Sequence, residues 1–328
     1  MTTETTTTQI EGTPSADKPD VGSLQSQTVN QRALAPSWRE YPNDPVVTVT
    51  SLLAVAVTVA WWSKTDISVL LQTAAIRRGE LWRLLTSVFP HVDILHLVFN
   101  VYWLWIFGTS VEKRFGHLQT AGLFALLAIG SNSIDFALEL GGVGLSGIGY
   151  GLFGLLWVLS KRDARFRGTM DKRTIQIFIA WFFLCILLTA GKQYSVANVA
   201  HTAGALLGIL IGFAISTPRR RNLLFAVVSG VVLCGLLGAT IARPRVNLSG
   251  SGGYDEARWG YDDLRSEKNQ EAIHWLRDST VYQPKVAAFW YNLGLAYART
   301  GDGIAASSAF ARAHELEPDN PAFLVSPK

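Results

Sequence analysis

Apolar residues along this chain gather into windows close to the ~20 residues a helix needs to cross the hydrocarbon core of a bilayer. The windows fall at about 45–62, 94–111, 118–139, 144–160, 174–191, 197–216 and 222–242. The pattern predicts an all-α, polytopic membrane protein. Basic residues in the connections orient it. Lys113 and Arg114 follow the second window; Lys161, Arg162, Arg165, Arg167, Lys172 and Arg173 follow the fourth; Arg219, Arg220 and Arg221 follow the sixth. The connections after the third and fifth hold little beyond Asp135, Glu139 and Lys192. Cytoplasmic loops carry the excess of Lys and Arg, so the N-terminus is expected inside, with spans two, four and six running from the outer to the inner side. The first loop, about 63–93, carries Arg77, Arg78 and Arg83 against this scheme. It is expected outside, as a folded interfacial segment with Trp82 and Arg83 at the headgroup level. A seventh span puts everything beyond about Arg243 on the outer side, which Arg243 and Arg245 argue against.

Composition agrees. Of 328 residues, 49% are hydrophobic and 16% charged, whereas a soluble domain carries about 25% charged residues. The first forty residues are rich in Thr, Gln and Ser and poor in aromatics; they cannot bury enough surface to order themselves and are expected to be disordered. They lack a basic n-region leading straight into an apolar core, so no cleavable signal peptide is expected. Without an Arg-rich amphipathic presequence, the expected membrane is a bacterial plasma membrane. Cys185 and Cys234 lie inside apolar spans and read as small buried hydrophobes rather than a disulfide or metal pair.

The candidate chemistry sits in three spans at one depth. Gly144-Leu145-Ser146-Gly147 opens the fourth, His201 lies about a turn into the sixth, and His96 and Asn100 lie in the first turns of the second. His96 and Asn100 are four apart and share a helix face. Gly147, Gly151 and Gly154 form one small-residue stripe, and Gly204, Gly208 and Gly212 form another. Two such ridges let helix backbones approach closely, which would bring the His201 imidazole within reach of the Ser146 hydroxyl. A serine becomes a nucleophile when a base takes its proton, and neutral His does so near pH 7. The oxyanion that follows needs preorganised donors; the Asn100 amide, the His96 ring and the Ser146 backbone N–H are candidates. With no acidic residue accompanying the set in these spans, a Ser–His dyad is expected, with Tyr150 stacking on His201. His91 reads either as an interfacial residue or as an anion-binding one. Packing alone would also use a lone membrane His or Asn to bond a neighbouring helix, and a transporter or proton relay is the rival functional reading. The latter calls for acids or paired half-helices at mid-membrane.

Glu80-Leu-Trp82-Arg83, then His91, His96 and Asn100, Glu112-Lys-Arg-Phe-Gly116, Gly144-Leu-Ser146-Gly147 with Tyr150, and Ala200-His201 followed by Gly204 and Gly208 occur in order. By these motifs the stretch from about Glu80 to Phe213 resembles the rhomboid intramembrane serine proteases. The resemblance implies a six-helix core around a water-filled cavity open to the outer side. It also implies cleavage of other proteins' transmembrane helices, near small residues where a helix unwinds easily. It assigns Ser146 as nucleophile, His201 as general base, His96 and Asn100 (with Gly144) to the oxyanion hole and Tyr150 to support of His201. Trp82, Arg83, Glu112, Gly204 and Gly208 become structural. Substrate access is implied around Trp181 to Tyr194. No cofactor and no metal are implied.

Beyond Ser249-Gly-Ser-Gly-Gly253 the chain turns soluble and helical. Trp290, Leu293, Gly294, Tyr297, Ala306, Phe310, Ala313 and Pro318 match the tetratricopeptide (TPR) pattern, and Gly260, Ala272, Leu276 and Pro284 form a fainter copy 34 residues earlier. Two repeats are fewer than the three such arrays need, so the module is expected to pack on itself, on the membrane domain or on a partner chain; as a docking surface for substrates or adaptors it offers the aromatics Trp259, Tyr261 and Trp275. Asn247-Leu-Ser249 is a glycosylation sequon, relevant only if the outer side is a secretory lumen.

The expected organisation is a disordered tail (1–44), a rhomboid-like six-helix protease core (45–216), a seventh transmembrane helix (217–242), a linker (243–253) and a TPR-like module (254–328). The expected function is cleavage of transmembrane segments through an acyl-enzyme on Ser146. The expected partners are transmembrane-helix substrates, the lipid bilayer and a protein partner of the TPR-like module, with no nucleic acid. The alternative is a non-catalytic membrane-protein binder or scaffold acting through the cavity or the tail.

Overall fold

The computed structural model describes residues 1–2, 43–193 and 196–323. The expected tail disorder therefore falls, but for its ends, outside the described residues, as does Tyr194. Among the described residues every regular element is helical. Seven helices form the apolar bundle: α1 (Pro45–Trp62), α2 (Ile94–Phe115), α3 (His117–Leu138), α4 (Ser146–Arg162), α5 (Lys172–Ala190), α6 (Asn198–Ser216) and α7 (Pro218–Val246). Six are both long and apolar enough to cross a membrane; α4, at 17 residues, is the shortest and most enclosed. Each begins or ends within about four residues of the boundary read from hydropathy.

Local chemistry sets the ends. Pro45 starts α1, where a missing N–H costs nothing, and the Glu112 carboxylate accepts the Val46 and Val47 N–H groups at 2.9 and 3.0 Å. His117 Nδ1 also lies 2.7 Å from Glu112. Asp93 caps α2 by accepting the His96 N–H, and Asp171 caps α5 by accepting that of Thr174. A π-turn at Leu104–Gly108 interrupts α2, placing Gly108 against Val47 and Phe124.

The core is the α4–α6 seam. A methyl group on Gly204 would fall on the carbonyl oxygen of Gly147, one on Gly208 on that of Gly151, and one on Gly154 on that of Ala205. The two small-residue stripes therefore meet backbone to backbone, as their spacing predicts. Leu152, Leu155, Leu156 and Leu159 of α4 are fully buried around this seam. Helix α5 is the contrast: only Phe178 and Cys185 of its 19 residues are buried. Cys234, expected buried, is exposed on α7 and faces outward from the bundle.

The loop between α1 and α2 is folded as expected, but Arg83 is not at its surface. Arg83 is 8% exposed; its guanidinium donates to Glu80 and to the Ser68 and Leu71 carbonyls, so it ties the loop together from within. Trp82 is half-exposed, as a headgroup-level residue would be.

Beyond α7 four helices form two hairpins: α8 (Tyr254–Arg265) with α9 (Asn269–Tyr282), and α10 (Ala287–Arg299) with α11 (Gly303–Leu316). Gly260 lies under Leu276 in the first hairpin, and Gly294, 34 residues on, lies under Phe310 in the second. The module packs on the membrane domain. Arg77 pairs with Glu256 at 2.5 Å, Arg243 with Asp255 at 3.3 Å, and the Arg77 and Arg78 guanidinium groups lie over Trp259. Trp259 and Trp275, expected to be free for a partner, are thus occupied: Trp259 is 6% exposed and meets Trp275 edge to face. Tyr261 stays exposed. The expected linker is helical as far as Val246.

Candidate active site

Ser146 is the first residue of α4. The chain reaches it through Gly144, held at φ +109°, a conformation that a residue with a Cβ rarely adopts. The Gly144 N–H donates to Ser87 O, and the Leu145 N–H donates to His91 Nε2 at 3.3 Å. Ser146 thus stands where helix N–H groups lack intrahelical acceptors, on a turn pinned from both sides.

His91 resolves differently from either sequence reading. It is fully buried, so it is no interfacial residue. Its Nε2 accepts from Leu145 and its Nδ1 lies 2.9 Å from Phe89 O, so the ring is neutral with the proton on Nδ1 and has no donor left for an anion. Burial and the neighbouring His96 push its pKa down to about 3. His91 is a buttress: it carries the turn before Ser146 on one nitrogen and meets the His96 ring edge to face, 4.8 Å between centroids.

His96 lies across Gly144. A Cβ there would come 2.7 Å from His96 Cε1 and 2.8 Å from Nε2, so the glycine is the space the imidazole occupies. Asn100, one turn on, donates to the His96 carbonyl at 3.0 Å; this uses one amide hydrogen and leaves the second. From the other side, the His201 ring stacks on Tyr150, 4.6 Å between centroids at 27°, as expected. His201 is 4% exposed, and its Nδ1 has no partner among the described residues.

These groups share one cavity of about 660 Å³, whose lining includes His96, Asn100, Ser146, Tyr150 and His201. All the residues assigned from sequence to the dyad and its oxyanion support are therefore in or beside one space. The α2–α5 side of the cavity is closed by aromatics, with Phe99 stacked on Trp181 at 4.4 Å and Trp103 against Phe178 at 4.8 Å. No group of three or more His, Cys, Asp or Glu able to hold a metal occurs among the described residues.

One expectation is corrected. An acid does accompany the set. Asp135 lies inside α3, 1% exposed; it lines the same cavity, and its Oδ1 accepts the N–H of Ala200, the residue before His201. The signal was in the sequence, because an ionisable residue inside an apolar span is rare and mostly functional. Gln72 and Asn198 also line the cavity; lying outside the spans or at their edge, they carried no signal.

Residues 78–218 match the family model described as Rhomboid domain. Among curated proteins, a Rhomboid protease GlpG of Serratia proteamaculans is 35% identical over 148 residues, covering 44% of this chain and 51% of the relative. Proteins of the same name from Salmonella paratyphi A and Salmonella typhi are 29% identical over 184 residues, covering 54% of this chain and 66% of theirs. The chain thus spans between half and two thirds of these relatives, and the Rhomboid domain match ends before the helical module. Through residues 78–218 the chain, a multi-pass integral membrane protein, is similar to the rhomboid family.

Proposed function

We propose that the protein is an intramembrane serine endopeptidase that cleaves transmembrane segments of other membrane proteins with Ser146 as nucleophile and His201 as general base. The observation that carries this is the glycine-on-glycine seam of α4 and α6, which faces Ser146 and His201 into one cavity. His201 takes the hydroxyl proton as Ser146 Oγ attacks the scissile carbonyl carbon. Tyr150, stacked on the imidazole, sets the plane in which that proton moves. The tetrahedral oxyanion draws on the Ser146 backbone N–H, the His96 ring and the second hydrogen of the Asn100 amide. Collapse expels the amine, which takes the proton from His201; water, activated by the same imidazole, then releases the acyl group. Trp82, Arg83 and Glu112 hold the scaffold. The N-terminus is cytoplasmic, Ser146 lies toward the outer face, and the module packs at that same end, all in a bacterial plasma membrane.

The test is fluorophosphonate labelling of the protein in bilayers beside cleavage of a reporter helix, for wild type, Ser146→Ala and His201→Ala. Labelling and cleavage should vanish in both variants. Cleavage that survives Ser146→Ala refutes the mechanism. A folded wild type that neither labels nor cuts points to the binding role.

A further inference from the structure

The cavity has a second polar region that the dyad does not use. It surrounds Gly141 and Gly142, on the connection that leads from α3 to Ser146. On one side stands Gln72: a Cβ on Gly141 would lie 2.7 Å from its Oε1, and its Nε2 donates to the Gly142 carbonyl at 3.0 Å and to Ser87 Oγ at 3.1 Å. On the other side stands Asp135, whose Oδ2 would lie 3.5 Å from a Cβ on Gly142. Ala197 touches the same glycine, and its neighbour Asn198 directs its Nδ2 away, to Thr189 Oγ1 at 2.9 Å. Three oxygens result, Gln72 Oε1, Asp135 Oδ2 and Asn198 Oδ1. Each is buried and without a donor among the described residues, and all three belong to residues lining the cavity.

What could satisfy them follows from their chemistry. Gln72 spends both amide hydrogens on Gly142 and Ser87, and Asn198 spends one on Thr189, which orients both oxygens as acceptors. Asp135 and, at the rim, Glu139 are the carboxyl groups that a bound cation would face. The nearby cation is committed: Arg243 donates to the Phe136 and Glu139 carbonyls and pairs with Asp255. A substrate carboxylate would meet only acceptors there. A hydroxyl would bring one proton and lone pairs with nothing to receive. An ammonium brings three donors and no acceptor, and a guanidinium five.

Resting on the protease reading above, we propose that Gln72, Asp135 and Asn198 form a subsite that selects a basic side chain, lysine or arginine, on the substrate segment lying over Gly141 and Gly142. The selection is sharp because outer flanks of membrane helices are poor in such residues.

The experiment uses the full chain in bilayers and a set of reporter helices carrying Lys or Met at each successive position around the cut. Two quantities are read: kcat/KM for the wild type, and the Kd of the same helices for Ser146→Ala. At one position Lys should exceed Met by about tenfold or more in both, the scale of a hydrogen bond to a charged group. Asp135→Asn should bring that ratio toward one. Gln72→Met, which leaves the Ala200 cap intact, should lower it as well and serves alone if Asp135→Asn does not fold. A flat profile with normal cleavage overturns the subsite and leaves the protease reading standing, as does a Lys preference unchanged in both variants. A Lys preference in binding without any cleavage by the wild type does the reverse. Neither cleavage nor preferential binding overturns both.

Discussion

The α4–α6 seam makes a quantitative demand that a single methyl group can test. In Gly208→Ala the new Cβ meets the Gly151 carbonyl oxygen, which is backbone and cannot rotate aside. Real Cβ atoms essentially never approach a neighbour closer than 3.0 Å; to reach that limit the helices must part by about 1 Å or more. Overpacking of this kind costs about 1–3 kcal/mol of stability, which a bundle of this size tolerates. The site does not tolerate it, because Ser146 and His201 ride on opposite sides of the seam. A misplacement of about 1 Å lowers the rate of a positioned reaction about a hundredfold. Gly208→Ala should therefore fold, with a modest fall in thermal midpoint, and lose about two orders of magnitude in both fluorophosphonate labelling rate and kcat/KM. Gly122→Ala and Gly230→Ala are internal controls, since a Cβ at either meets nothing within 4 Å; both should keep wild-type rates. Activity of Gly208→Ala within threefold of wild type would refute the claim that this contact sets the dyad distance. So would an equal loss in the two controls.

Three further outcomes follow. Gly144→Ala puts a methyl group into the His96 ring at a φ of +109° and should lower kcat by about a hundredfold, the scale of losing one oxyanion donor; unchanged kcat would remove His96 from the oxyanion site. Arg77→Met leaves Glu256, whose side chain is 2% exposed, buried without its partner at a cost of about 3–5 kcal/mol, so protease should cut residues 247–253 far faster, and adding Glu256→Met should restore protection. His91 stays neutral in the fold while the unfolded chain protonates it near 6.5, so its contribution to stability is present above that pH and lost as pH falls toward 3; the wild type should lose thermal stability over that window more steeply than His91→Asn, and parallel slopes would contradict the buttress.

The membrane helices were legible because hydropathy over about 20 residues is a coarse, cooperative signal, and the α4–α6 contact was legible because small residues three or four apart form a stripe on each helix along which backbones can meet. Tyr150 over His201 followed from the same register. What escaped were groups whose role depends on where the chain returns in space. Arg83 looks like a surface cation in a loop, yet it is spent on carbonyls 12 and 15 residues earlier. His91 has no periodic partner, and its bond to Leu145 spans 54 residues. Trp259 and Trp275 read as free aromatics because the first-loop arginines that cover them are nearly two hundred positions away. Asp135 reads as a loop residue because it sits near the end of an apolar window, three residues before the helix ends.

The end of α3 explains how these long-range returns fit together. A helix leaves its last carbonyls without intrahelical donors, and inside a membrane protein each such group must be satisfied by protein. Here the chain emerging from α7 supplies the donors: Arg243 to Phe136 and Glu139, Asn247 to Ala137 and Glu139, and the Leu248 N–H to Leu138. Arg243 also places a cation at the negative end of the α3 dipole, so a basic residue at this end of α7 has a local electrostatic reason. The Asn247 amide of the sequon is committed to the same cap. One turn further in, Asp135 holds the N-terminus of α6 through Ala200. A continuous set of hydrogen bonds therefore runs from the acidic start of α8, through Arg243 and the last turn of α3, to the turn that carries His201. Docking of the helical module and placement of the candidate base are consequences of how one helix end is capped.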